Sequence, residues 1–294
     1  FTNNGFKNGY NILFKNIITD SKNSKSYKEN SDIKIATLAE YNSSYPLEKK
    51  TKNYLNIIKP IISARYSPNK SKNTKNVDRR INANNVFSLN RLGENDYVEG
   101  GGSLSFGTEF YKTDFSNKEV FSAKIANVFK LEEDSNLPSN SSLGKKTSDI
   151  MGYLNFIPSD FFNINYEFSQ DENLKDTNYQ LLKNEFKINN FVTIFEYLNQ
   201  NNSMNKESYL SNKTTYNFNK SNSFIFQGRE NKETDATEFY NLIYQYRNDC
   251  LIAEIQYNKD YYTDRDLKPE ESIFLNFTII PFGGTKSPNL KNND

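Results

Sequence analysis

The chain has 294 residues, 37 of them basic and 36 acidic, with no histidine and a single cysteine. Near-zero net charge leaves no electrostatic footprint for nucleic acid, and the lack of histidine removes His general bases, Cys–His nucleophiles and the usual zinc sites. A mean hydropathy of −0.82 would suit a disordered coil, but 20 Tyr and 23 Phe supply far too much apolar surface for one. No stretch approaches the ~20 apolar residues of a membrane helix, and no cofactor site is expected.

Taken in order, the segments alternate almost everywhere and show helical spacing almost nowhere. The chain opens on Phe1 inside what reads as a working strand near Tyr10, with no signal-like segment, so the expectation is a fragment whose N-terminal part is missing. A connection around Ser21 to Asn30 leads to a second strand, then "PLEKK", then a third strand carrying Pro60, a residue that ordinarily marks an edge, break or bulge. The longest connection, about Pro68 to Asp96, follows. In "YVEGGGSLSFGTEF", Val98, Leu104, Phe106 and Phe110 are expected on one face, with Glu99, Ser103, Ser105 and Glu109 on the other. After a short link at Ser116 and Asn117 and a long one over Glu132 to Lys146, "DFFNINYEFSQ" and "CLIAEIQYNKD" repeat the same alternation. The final strand is expected at about Ser272 to Pro281.

About fourteen strands of roughly ten residues result, near the length that crosses a bilayer at a tilt. Periodicity alone leaves open a soluble sandwich or jelly roll with one buried face. The connections decide. Short turns such as "PSD" (158–160), "NN" (189–190), "NKSN" (219–222) and "ND" (248–249) are expected to alternate strictly with longer links. Long loops at one end and tight turns at the other describe a transmembrane β-barrel, whose polar lumen also explains the low hydropathy. The predicted fold is therefore all-β, an antiparallel transmembrane meander forming part of a larger barrel, with residues 1–294 as its C-terminal part.

Two stretches carry a resemblance. "SPN", "NVFSLNR" and "DYVEGG" within residues 58–107, and "RNDC" with "DRD…P" before the last strand, resemble the C-terminal barrel region of the LptD family in its α-proteobacterial form. That resemblance implies transport and assembly of lipopolysaccharide into the outer leaflet of a Gram-negative outer membrane, through a barrel lumen and a lateral seam. It implies no catalysis. The implied partners are lipopolysaccharide, a lipoprotein plug in the lumen, periplasmic components of the lipopolysaccharide bridge, and outer-membrane lipids. A porin or other outer-membrane channel shares the periodicity but not these motifs. A hydrolase barrel would need a nucleophile, base and orienting group, which the absence of histidine disfavours.

Site expectations follow. A connection of this length is uncommon unless functional or disordered, and Val86, Phe87, Leu89 and Leu92 give it an apolar set with which to pack. In the family such a loop folds over or into the lumen. Glycines 100–102 suit a strand closely approached by other backbone, the alternative being a mobile loop with a bulge. Asp264, Arg265 and Asp266 read as a salt-bridged turn rather than acid–base machinery. Cys250 is either an inert thiol or, as the resemblance implies, the partner of a cysteine in the missing N-terminal portion. On the last strand, Ile273, Leu275, Phe277 and Ile279 would face lipid and form one side of the seam, with Phe274, Asn276 and Thr278 toward the lumen.

Overall fold

The computed structural model describes residues 4–20, 22–23, 32–93, 97–201, 206–261, 269–280 and 283–286. Among them the regular structure is all antiparallel sheet apart from one 3-10 turn, Ser142–Gly144. The first strands are β1 (Lys7–Thr19), β2 (Asp32–Ser44), β3 (Leu47–Lys50), β4 (Tyr54–Ser67), β5 (Gly101–Asp114), β6 (Glu119–Lys130) and β7 (Ile150–Ser159). They are followed by β8 (Phe162–Gln170), β9 (Thr177–Ile188), β10 (Phe191–Asn201), β11 (Lys206–Asn217) and β12 (Asn222–Asn231). The last are β13 (Ala236–Arg247), β14 (Leu251–Asp260), β15 (Glu270–Ile279) and β16 (Gly283–Lys286). The strand order follows the sequence from β1 to β16, with β3 paired to β4 off the main path. The fourteen long strands match the sequence expectation; the four-residue β3 and β16 are additional.

The chain divides into two compact units. One comprises Phe1–Phe156, Tyr166–Gln180 and Asn201–Lys206; the other Ile157–Asn165, Leu181–Gln200 and Glu207–Asp294. In the first, β1 and β2 pair from Lys7↔Ser44 to Thr19↔Asp32, whereas β2 meets β4 only from Ala39↔Tyr66 to Ser44↔Ile61. Below that, β3 takes over against Leu55–Ile58. Pro60 sits at the changeover. Its carbonyl accepts from the Tyr45 N–H at 3.1 Å, so the missing proline N–H faces the same gap, where no ladder bond is lost. On its other side β4 keeps an unbroken register with β5, including Pro60↔Thr108.

Residues in register share a face, so Ile62, Phe106 and Asn127 lie on one side, with Pro60, Thr108 and Ile125 beside them. This face carries exposed Tyr10, Ile12, Phe14, Ile62, Leu104, Phe106 and Phe129. The opposite face carries Glu40, Ser63, Arg65, Ser103, Ser105, Ser122 and Lys130, all of them buried. Val98 departs from the expectation. Gly101 takes φ +77°, which breaks the alternation, and Val98 packs with Ala36 and Leu38 on the polar face rather than with Leu104 and Phe106.

In the second unit the same two-faced pattern holds. Rows such as Tyr244–Ile255–Leu275 and Leu242–Tyr257–Ile273 form the apolar face, and Gln245–Glu254–Asn276 the polar one. Two expectations need correction. The links do not alternate strictly: residues 218–221, expected as a short turn, and 232–235, expected as a longer link, are of equal length. Nor is the strand of Ile273 to Ile279 the last. The chain turns at Ile280 and returns as β16, which pairs with Asn276–Ile279.

Candidate functional site

The connection from β4 to β5 is packed onto the polar face of the first unit. Its start is fixed by Asn69, whose Oδ1 accepts from the Thr37 N–H (2.8 Å) and whose Nδ2 donates to the Ile35 carbonyl (3.1 Å). The side chain thereby stands in for the strand that β2 lacks beyond Ala39. Ser71 Oγ accepts from the Gly100 N–H (2.9 Å) and donates to Asp134 (2.5 Å), tying the two ends of the loop to each other and to the next loop. A Cβ on Gly100 would lie 2.1 Å from the Asn69 carbonyl oxygen. The glycine is required because backbone passes directly over it.

Between those ends the loop turns on asparagines. Asn82 Oδ1 accepts from the Asn84 and Asn85 N–H groups, and Asn85 Nδ2 donates to the Arg80 carbonyl, the local bonding that makes asparagine a turn residue. Apolar side chains point into the sheet. Ile81, Ala83, Val86, Leu92 and Tyr97 are buried with Ala126 and Val128 of β6, Met151 of β7, and Leu137 and Leu143, while Phe87 packs at the margin. Leu89 joins a second cluster with Leu13, Ile17, Ala36, Leu38 and Val98. Arg80 lies 3.8 Å from the centre of the Tyr179 ring. The 131–149 loop completes the cover: the Thr74 N–H donates to the Asn136 carbonyl (2.7 Å), the Ile81 N–H to Ser141 Oγ (3.2 Å), and Asn140 to Asp78.

Beneath the loop lies a buried ion cluster. Arg91 grips Glu99 with two nitrogens, Nε to Oε2 at 3.0 Å and Nη2 to Oε1 at 2.7 Å, and Lys130 Nζ reaches Oε1 at 2.9 Å. Two further Arg91 protons go to Ser105 Oγ (3.1 Å) and Ser103 Oγ (2.8 Å). Arg65 donates to the Ser88 carbonyl (2.9 Å) and the Leu89 carbonyl (2.5 Å). Burial pushes the Glu99 carboxyl pKa upward, but Arg91, Lys130 and Arg65 together outweigh it and hold the group at about 2. Two cations on one anion, completed by hydroxyls and carbonyls, satisfy charges that would otherwise be costly to bury.

The loop of the first unit thus carries Phe87 and Leu92 into one apolar cluster and Leu89 into another. Cys250 and β15 belong to the second unit. The Cys250 thiol is exposed and free. Its N–H donates to Asn248 Oδ1 (2.9 Å), and its carbonyl accepts from the Ile280 N–H (2.9 Å), so it adjoins the end of β15. Ile273, Phe277 and Ile279 are exposed on the apolar face. Asp264, Arg265 and Asp266 lie outside the described residues. Sequence reasoning missed Arg65, Arg91, Glu99 and Lys130 as a group. The one available signal was the run of small polar residues at Ser63, Ser67, Ser103 and Ser105, which leaves room for something to lie on that face.

The LptD family, described as LPS transport system D, matches residues 18–229. The chain belongs to the LptD family. The match runs from the end of β1 to β12 and takes in both packed loops. LptD proteins are the outer-membrane component of lipopolysaccharide transport, so the chain is placed at that level with a transport system of the outer membrane. Among solved structures, two triple mutants of the Rhodopseudomonas blastica porin align over 96% of this chain and 92% of theirs, at 7% and 8% identity, each with a TM-score of 0.39. That likeness is too slight to carry an argument. No curated protein matches.

Proposed function

We propose that this LptD chain forms the C-terminal wall of an outer-membrane barrel that delivers lipopolysaccharide to the outer leaflet in a Gram-negative bacterium. The observation that carries the reading is the pairing of the family match with two opposite faces: exposed Tyr, Phe and Ile on one, buried ions and amides on the other. The apolar face suits lipid, and the polar face suits the sugars and phosphates of the cargo. In this reading residues 1–294 continue a domain whose periplasmic part and early strands precede them. The lumen also receives a lipoprotein plug, and bridge components supply cargo from the periplasm. The loop of Phe87, Leu89 and Leu92 narrows the route from the outer side.

The cargo leaves through a lateral seam on the β15 side, with Ile273, Leu275, Phe277 and Ile279 facing lipid. Among the described residues β16 pairs with Asn276–Ile279 at the far edge of β15, and in this reading Glu270–Leu275 is the stretch that parts. Unpaired backbone in hydrocarbon costs several kcal/mol per group, so opening is local and brief. Cys250 bonds to the periplasmic portion; in the full-length protein Cys250→Ser shifts mobility on non-reducing gels, and unchanged mobility would return it to an inert thiol.

The deciding experiment joins β15 to the first strand of the complete barrel through engineered cysteines, one replacing Ile273. Lipopolysaccharide delivery to the surface stops while the barrel stays folded and inserted. Undiminished delivery with the seam locked would overturn the mechanism.

A further inference from the structure

At the tight-turn end of β4 the apolar face of the first unit changes character within one row. Leu47, Ile58 and Phe110 stand in register on β3, β4 and β5. The next row toward the turns, on the same face, reads Lys49, Asn56 and Lys112. Two cations therefore flank one amide on the side of the sheet that carries exposed Leu47, Ile58, Ile62 and Phe106. With strands ~4.8 Å apart, the two lysine backbones stand about 10 Å from each other. Two long, flexible lysine stems can close that span over Asn56.

The neighbouring charges are placed elsewhere. Glu48, in register with Ile57, and Lys50, in register with Leu55, lie on the opposite face. Asp114 shares the face, in register with Tyr54, but it closes its own hairpin: its Oδ1 accepts from the Ser116 and Lys118 N–H groups (2.8 and 2.9 Å). Lys112 Nζ lies 4.2 Å from the centre of the Tyr54 ring, which inclines it toward the turns and away from the apolar rows. Among the described residues neither Lys49 nor Lys112 is ion-paired with a carboxylate. Lys49 is exposed and Lys112 half-buried, so a ligand outside the sheet can reach both.

We propose that this row is a headgroup site for an anionic phosphoglycerolipid of the leaflet at the tight-turn end. Lys49 and Lys112 hold the phosphate from either side above Asn56, and the acyl chains lie on Leu47, Ile58 and Phe110. Charge selects the occupant. An apolar row alone accepts any acyl chain, whereas two ammonium groups directly turnward of it match an anion at the depth where a headgroup begins. A zwitterionic headgroup brings its own cation to the same two lysines and gains less. The site rests on the reading of this face as membrane-facing. It lies on the wall away from the seam, so it holds a resident lipid and fixes the depth of the wall rather than passing cargo.

The test is competitive lipid retention on the full-length protein. Detergent-solubilised protein is mixed with equal amounts of phosphatidylglycerol and phosphatidylcholine carrying the same acyl chains, and retained lipid is read by native mass spectrometry. A basic residue beside an anionic headgroup is worth about fivefold in binding. Lys49→Gln and Lys112→Gln therefore each lower the preference for phosphatidylglycerol about fivefold, and the double variant abolishes it. Lys50→Gln removes the same charge from the opposite face and leaves the preference intact. Inorganic phosphate added at the lipid concentration displaces nothing. Equal retention of the two lipids by the wild-type protein would overturn the proposal without any variant having to fold. So would a loss in Lys50→Gln as large as in Lys112→Gln, the mark of diffuse charge, or displacement of the lipid by phosphate, the mark of a free-anion site. Retention reads binding and the seam cross-link reads delivery, so either reading can fail while the other stands.

Discussion

The two units build polar faces from the same strand alternation and fill them differently. In the first, many inward positions are small: Ser63, Ser67, Ser103 and Ser105 are nearly inaccessible, and the 68–100 loop reaches Ser67 through Asn69 and Ser103 and Ser105 through Arg91. In the second, beside buried Ser223 and Ser272, long side chains predominate and pair with one another, Tyr209 with Glu196 (3.0 Å), Gln245 with Glu254 (2.6 Å), and Asn276 with Glu254 (3.3 Å) and Gln256 (3.2 Å). Half-exposed amides and carboxylates of this kind can also reach water. A sheet face strewn with serine is therefore a seat for something, whereas one strewn with Gln, Glu and Tyr is complete in itself. Net polarity does not distinguish them; side-chain size does.

The comparison breaks most sharply at Glu99. Replacing it with Gln leaves Arg91 and Lys130 buried without their anion, and loss of one partner from such a cluster costs about 3–5 kcal/mol. Protease cleavage within residues 80–93 should rise steeply in Glu99→Gln while the second unit keeps its protection; equal protection of the loop would show that apolar packing alone holds it. Acid does the same reversibly. Because the folded Glu99 pKa of about 2 lies below its ordinary 4.5, the stabilisation is complete above about pH 4.5 and is lost as pH falls through 2. The protection factors of amides 86–93, taken relative to the intrinsic rate at each pH, should fall between about pH 4.5 and pH 2 in the wild type and not in Glu99→Gln.

Gly100→Ala is the next largest. A Cβ 2.1 Å from the Asn69 carbonyl forces the two backbones apart, at about 1–3 kcal/mol, and should lower the thermal midpoint of loop release without altering that of the second unit. The smallest effect belongs to the self-paired face. Glu254→Gln keeps one acceptor oxygen, for Gln245, and gives up the longer bond from Asn276, which Gln256 Oε1 still accepts at 3.2 Å, so stability should change by less than about 0.5 kcal/mol. A larger loss would mean that this face, too, depends on charge.

Much of the architecture was legible because period-two alternation over ten residues is a strong pattern, and Pro, Asn and Asp mark the turns. The apolar set of the loop, Val86 to Leu92, was legible for the same reason: such residues do not recur in a solvated link by chance. The ion cluster was not, since Arg65, Arg91, Glu99 and Lys130 are far apart in sequence and meet only once β4, β5 and β6 are in register. Val98 was misread because alternation assumes a continuous strand, and one positive φ at Gly101 reverses the faces. β16 escaped notice because a four-residue strand rich in glycine carries no periodicity.

The handover at Pro60 has a mechanical consequence. β1 holds β2 along its whole length, and β4 holds β5 from Tyr54↔Asp114 to Ser67↔Gly101, but β2 grips β4 only across Ala39–Ser44. Beyond Ala39 the joint is carried by the two bonds of one side chain, Asn69. Pulled sideways, this stretch of sheet tears between β2 and β4, and the β1–β2 hairpin comes away as a single leaf. Within β1 to β5 that line yields before the others, and Asn69 is its rivet.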